Sequence, residues 1–167
     1  MSDTERPRRT AGRGAGITGL SLKGRALRYL SLRELSRLEL ARKLAPHAES
    51  PEAIEPLLDE LERLGYLSAQ RVVESVLHRR TERCGNSRIR QELEARGVDP
   101  ADHTEALEGL RESEAQRALA LWLRRFGTPS DDPRERARQT RFLLSRGFPG
   151  SLVARVVRGE LNPDPTD

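Results

Sequence analysis

The sequence has a single cysteine, Cys84, so no disulfide can close within the chain and a disulfide scaffold is excluded. It has no apolar run near the roughly 20 residues needed to span a bilayer, and its N-terminus lacks the apolar core of a signal peptide. A soluble, cytoplasmic protein is therefore expected. Aromatic residues make up only 4% of the chain and hydrophobic residues 35%, against 34% charged. That apolar share is thin for a sphere with a deep core and suits an extended helical array. The histidines His47, His78 and His103 are scattered, and no two share a helical spacing for a metal. Glu74 and His78, four apart, read as a surface pair. Gly12-x-Gly14-x-Gly16 follows no strand pattern, so it is not a phosphate loop. Cys84 has Arg80 and Arg83 nearby but no catalytic partner. These absences predict no enzyme, cofactor, metal or small-molecule substrate.

Arginine is abundant: 28 of the 30 basic residues are Arg, and the formal net charge is +4. The planar guanidinium makes two bonds at once to phosphate or carboxylate. The charge is unevenly spread. Residues 49–66 carry six acids and one base, residues 79–96 six bases and three acids, and residues 124–158 nine bases and three acids. An acidic early section and a basic remainder predict a polar partner surface.

Residues 1–20 are rich in Arg, Gly, Ser and Thr without apolar periodicity, and predict a disordered tail. Leu22 to Leu32 reads as a first helix with Leu22, Ala26, Leu27 and Leu30 on one stripe. A second starts at Ser36 with the capping box Ser36-x-x-Glu39 and ends before Pro46. A third begins at Ser50-Pro51 and stops at Gly65, with Pro56 forcing either a start near Glu55 or a kink. Its carboxylates Glu55, Asp59 and Glu62 read as a solvated face. A fourth begins at Ser68 with Val72, Val73, Val76 and Leu77 inward. A fifth covers Asn86 to Gly97, capped by Asn86 or Ser87 and ended by glycine, with Ile89 and Leu93 on one face. Asp99-Pro100 opens a sixth that runs to about Leu110, and Ser113 caps a seventh that stops at Gly127. There Trp122 and Phe126 lie beside Leu119 and Leu123 and read as core. Asp132-Pro133 opens an eighth ending near Gly147, and Pro149 a ninth stopped by Gly159.

Nine helices in threes imply three repeats. Pro51, Pro100 and Pro149 are 49 residues apart, and Arg25, Arg71 and Arg117 are 46 apart. Leu40-x-x-Lys43, Leu93-x-x-Arg96 and Leu143-x-x-Arg146 also line up. The expected fold is all-α: three tandem three-helix repeats at 21–66, 67–111 and 112–159 forming an elongated, curved array, with a frayed tail at 160–167.

The stretches SRLELARKL (36–44), LERLGYLSAQRVVESVLHRR (61–80), GNSRIRQELEARGV (85–98) and RFLLSRGFPGSLVARVV (141–157) together resemble the bacterial RecX family. Where that family often carries an acidic pair before Arg-Phe-Ala, this chain reads Ser68-Ala69-Gln70-Arg71-Val72-Val73. The resemblance implies a regulator that binds the RecA protein and its filament on DNA. It would lie in the filament groove and restrain ATP hydrolysis, strand exchange and co-protease activity. A basic helical module binding DNA without sequence preference is the alternative. A monomer is expected.

The candidate partner-binding residues are basic. Arg79, Arg80, Arg83, Arg88 and Arg90 cluster around one helix junction, Arg96 lies on the outer surface of the helix 86–97, and Arg138, Arg141 and Arg146 occupy the matching helix of the third repeat.

Overall fold

A computed structural model describes residues 19–161. The expected tails at 1–20 and 160–167 lie almost wholly outside them. Among the described residues every regular element is helical. The first unit is α1 (Leu22–Leu32), α2 (Arg37–Leu44) and α3 (Ile54–Arg63). Next come α4 (Ala69–Arg80), α5 (Asn86–Ala95), α6 (Thr104–Arg125), α7 (Pro133–Leu144) and α8 (Gly150–Val157).

The ends of these helices follow from local chemistry. Ser36 Oγ accepts from the Glu39 N–H while a Glu39 carboxylate oxygen accepts from the Ser36 N–H, so the predicted capping box is present. Ser68 caps α4 by accepting from the Arg71 N–H at 3.3 Å, in the place where an acidic pair is missing. The predicted stops Gly65, Gly97, Gly127, Gly147 and Gly159 all have positive φ. Pro56 is the third residue of α3, where its missing N–H would be unpaired anyway, so the helix starts late and has no reason to kink.

Two expectations about helix ends are corrected. The sixth and seventh helices are one helix, α6, and the expected repeat boundary at 111/112 falls inside it. Ser113 does not cap. Its hydroxyl donates to the Gly109 carbonyl one turn back at 2.9 Å, and no proline interrupts the run. Nor does Asn86 or Ser87 cap α5. Gly85 holds the cap position, the Asn86 amide donates to the Leu110 carbonyl, and Ser87 Oγ donates to the Gly147 carbonyl.

Three separate cores follow. Ala26, Leu40, Leu44, Leu58 and Leu61 anchor the first. Val72, Val76, Ile89, Leu93 and Leu107 anchor the second. Ala118, Trp122, Leu143, Val153 and Val156 anchor the third. Helix α6 serves two of them, giving Leu107 and Leu110 to the second and Ala118, Leu119 and Trp122 to the third. Trp122 is core, as its helical spacing predicts, and its indole N–H donates to Gln139 Oε1 at 3.0 Å. Each large aliphatic side chain buried in these cores contributes about 1.5–3 kcal/mol.

Burial also sets the repeat register. The second helix of each unit turns two positions inward: Leu40 and Leu44, Ile89 and Leu93, Gln139 and Leu143. Leu44, not Leu40, therefore matches Leu93 and Leu143. The first copy of the motif is shifted by one helical turn from the sequence alignment. Residues four apart share a face, so the two registers look alike in a pattern. The corrected spacing of 49 is that of Pro51 and Pro100.

Candidate partner-binding surface

All the substantial helix–helix contacts lie within a unit: α1 on α2 and α2 on α3; α4 on α5 and α5 on α6; and α6, α7 and α8 on one another. Beyond α6, which the second and third units share, neighbouring units meet at narrow seams, where one unit's second helix ends against the start of the previous unit's second helix.

At the first seam Ser36 Oγ donates to the Arg96 carbonyl. The Arg96 guanidinium reaches Glu39 Oε2 at 3.0 Å and the Glu34 carbonyl at 2.9 Å, and Arg71 Nε reaches Glu34 Oε1 at 2.9 Å. Burial alone would raise the Glu39 carboxyl. The Ser36 N–H and the Arg96 guanidinium outweigh it and hold the pKa below the ordinary 4.5.

At the second seam the Gly85 N–H donates to the Arg146 carbonyl at 2.8 Å, and Ser87 Oγ to the Gly147 carbonyl at 2.8 Å. A side chain on Gly85 would collide with the Gly147 carbonyl, and one on Gly147, at φ +84, with the Arg88 backbone. Arg117 fans its guanidinium onto the carbonyls of Thr81, Cys84 and Leu110 and onto Asn86 Oδ1. Its burial pushes its pKa down, because the charged form loses water.

This packing sorts the nine candidate arginines. Arg96 is turned inward, 9% exposed, and belongs to the first seam, so it is not part of any exposed contact surface. Arg80 Nε lies 2.6 Å from Glu92 Oε2 and Arg79 Nη2 3.8 Å from Glu92 Oε1. Arg138 pairs with Glu135 at 3.2 Å and lies over the Phe126 ring. Arg83, Arg88, Arg90 and Arg141 have no side-chain partner among the described residues. Arg146 has no carboxylate either. Its guanidinium lies on the Phe142 ring, 3.7 Å from the centroid, and donates to the Phe142 carbonyl at 3.2 Å. A partner must displace the carboxylates on Arg79, Arg80 and Arg138, at about 0–1 kcal/mol each, and so gains less from them. The unpaired group needs no exchange at all.

Arg124, whose guanidinium donates to the Glu82 carbonyl at 3.2 Å, and Arg125 were passed over by sequence reasoning and extend the set of arginines without a carboxylate among the described residues. With Arg83, Leu121, Phe142 and Arg146 they line a cavity of about 560 Å³ on the second seam, and no acidic residue faces it. The signal for them was their place in the last turn of α6, where two cations meet the negative end of the helix dipole.

The α3 carboxylates of the acidic early section are exposed, as a solvated face would be, and they also converge on one cation. Glu55, Asp59 and Glu62 of α3 all reach the Arg37 guanidinium of α2, at 2.5, 2.7 and 2.9 Å. Glu55 leads these contacts, and together they push the Arg37 pKa up. Glu74 meets Gln70, not His78. Among the described residues no three His, Cys, Asp or Glu side chains are placed to hold a metal ion, and no helix is long and apolar enough to cross a membrane.

Comparison with known proteins gives this arrangement a family. The model of the RecX third three-helix domain matches residues 112–157, and that of the RecX first three-helix domain matches residues 23–61. Regulatory protein RecX of Leptothrix cholodnii is 58% identical over 116 residues, covering 70% of this chain and 74% of that protein. Its namesake in Ralstonia nicotianae is 51% identical over 117 residues, with the same coverage of 70% and 74%. The crystal structure of RecX from Lactobacillus salivarius superposes with a TM-score of 0.68 over 83% of this chain and 93% of that one. At 19% identity that likeness speaks for the fold alone. A second crystal structure titled regulatory protein RecX, 25% identical, gives a TM-score of 0.66 over 81% of this chain and 70% of that chain. Two matching domains and relatives identical at more than half their aligned positions carry the conclusion: this chain belongs to the RecX family, as a helical repeat array.

Proposed function

We propose that this chain is a non-enzymatic cytoplasmic regulator that binds the RecA recombinase and its filament on DNA. Through that contact it inhibits RecA recombinase, ATPase and co-protease activities, and so acts in DNA recombination, repair and the SOS response. Its functional units are the repeats 21–66, 67–111 and 112–159, and it acts as a monomer. The array lies along the filament groove, bridges neighbouring protomers and resists the changes that accompany ATP turnover. The observation that carries this reading is the group of arginines without carboxylate partners on the second and third units, Arg83, Arg88, Arg90, Arg141 and Arg146. A filament of protein and nucleic acid offers both the phosphates and the carboxylates that such groups bind.

The same arginines favour a second reading, direct DNA binding without sequence preference. That mode falls steeply with salt. The test is single-strand-dependent ATP hydrolysis by the cognate RecA with this protein added below stoichiometry. A progressive fall in rate, not reproduced by an equally basic unrelated protein, is expected. No change at stoichiometric excess overturns the reading, and tight, salt-sensitive binding to bare DNA then puts the second reading in its place.

A further inference from the structure

The two seams are built on matching positions with opposite charge. In the register set by burial, Arg146 corresponds to Arg96, and Arg88 corresponds to Glu39. Arg96 therefore finds a carboxylate across the first seam. At the second seam the Cβ and backbone of Arg88 lie against Gly147, so the position equivalent to Glu39 offers Arg146 no carboxylate. Arg146 instead lies on its own helix's Phe142. The charge exchange at one position thus leaves a guanidinium at the rim of a cavity that already holds Arg83, Arg124 and Arg125.

The floor of that cavity limits what fits it. Leu121 and Phe142 are half-buried and apolar. The Phe142 ring has Arg146 on one face and packs at 85° to Phe126, with centroids 5.2 Å apart. A nucleobase seeking a free ring to stack on is poorly served. The lining has no Asn or Gln for an adenine edge, and although its arginines suit phosphates and guanine edges as well as carboxylates, its apolar floor favours a peptide side chain. Four guanidiniums around an apolar floor instead match carboxylates flanking an apolar side chain.

We infer that the cleft between the second and third repeats is a docking site for an acidic peptide segment of a partner protein, with a Leu-like side chain seated on Leu121 and Phe142 and flanking Asp or Glu carboxylates held by Arg83, Arg124, Arg125 and Arg146. Charge complementarity supplies the orientation and the apolar contact the selectivity. The cleft takes such a segment whichever protein carries it, so peptide binding is measured apart from any effect on RecA.

The experiment uses the full chain and a short fluorescent peptide of glutamates around one leucine. Its companions are the same peptide with serine for leucine and a labelled oligodeoxythymidine. The leucine peptide binds saturably by anisotropy, and Arg124→Ser with Arg146→Ser weakens it by about tenfold. Leu121→Ala weakens the leucine peptide several-fold and leaves the serine peptide unchanged, which a general loss of charge or fold would not do. Circular dichroism confirms that each variant is folded, and Arg83→Ser, in an exposed turn, repeats the test without touching a helix. Equal affinity for the leucine and serine peptides, or no binding at all, overturns the inference. Displacement of the peptide by the oligonucleotide, with the same variants lost for both, makes the cleft a phosphate site instead and also overturns it.

Discussion

The first seam is made of ionised side chains and the second of backbone and glycine. At the first, Arg96–Glu39 and Arg71–Glu34 hold two units together, and Arg96 Nη1 is buried without a partner. At the second, the units touch through the Gly85 N–H, the Ser87 hydroxyl and the close approach of Gly85 to Gly147, while Arg117 serves neutral carbonyls. One repeat register thus supports two kinds of joint. A charged joint depends on pH and loses much when one partner is removed. A joint of backbone contacts depends on shape and fails when a methyl group is added.

The largest break is expected at the second seam. Gly85→Ala places a methyl group against the Gly147 carbonyl and within 2.6 Å of the Phe148 nitrogen. It should cost about 3 kcal/mol in urea unfolding. A wild-type midpoint would show that the seam is looser than described. Next, Arg96→Ala removes the guanidinium from a buried, carboxylate-lined place and should cost about 2 kcal/mol. Hydrogen exchange should quicken first at the start of α2 and the end of α5, and uniform loosening of all three units would count against a local joint.

A third, smaller effect separates the seams by pH. Glu39 has a folded pKa below its ordinary 4.5, so its stabilisation is complete above the ordinary value and is lost as pH falls through the folded one. Glu39→Gln should therefore be less stable than the parent at neutral pH and converge on it in acid. Parallel unfolding curves at all pH values would contradict the assignment. The smallest change sharpens the contrast. Arg88→Glu puts the first seam's carboxylate into the second and should draw Arg146 off Phe142. A gain of about 0.5 kcal/mol is expected, with weaker binding of acidic peptides at the cleft.

Much of this was legible in the sequence. Helix ends were, because Ser36, Ser68 and the glycine stops act through local backbone chemistry. The resemblance to the RecX family rested on two second helices, α2 and α5, and on the stretches 61–80 and 141–157 that lead into α4 and α8. What escaped the sequence was relational. The joined α6 follows from the absence of a breaker, which leaves Ser113 looking like a cap. The one-turn shift at Leu40 follows from two apolar residues on one face. Arginines look alike in a composition, yet Arg96 is buried, Arg80 is paired and Arg83 is bare, and only the neighbours brought by folding decide which.

The central claim is that the arginines without carboxylate partners carry the regulatory contact. Its most direct test compares inhibition of single-strand-dependent ATP hydrolysis by RecA across three proteins: the parent, Arg83→Ser/Arg124→Ser/Arg146→Ser, and Arg79→Ser/Arg80→Ser/Arg138→Ser. Both variants remove three positive charges. The account predicts that the first loses inhibition about tenfold in concentration while the second stays near the parent. Equal losses would mean that net charge alone governs the effect and would contradict it.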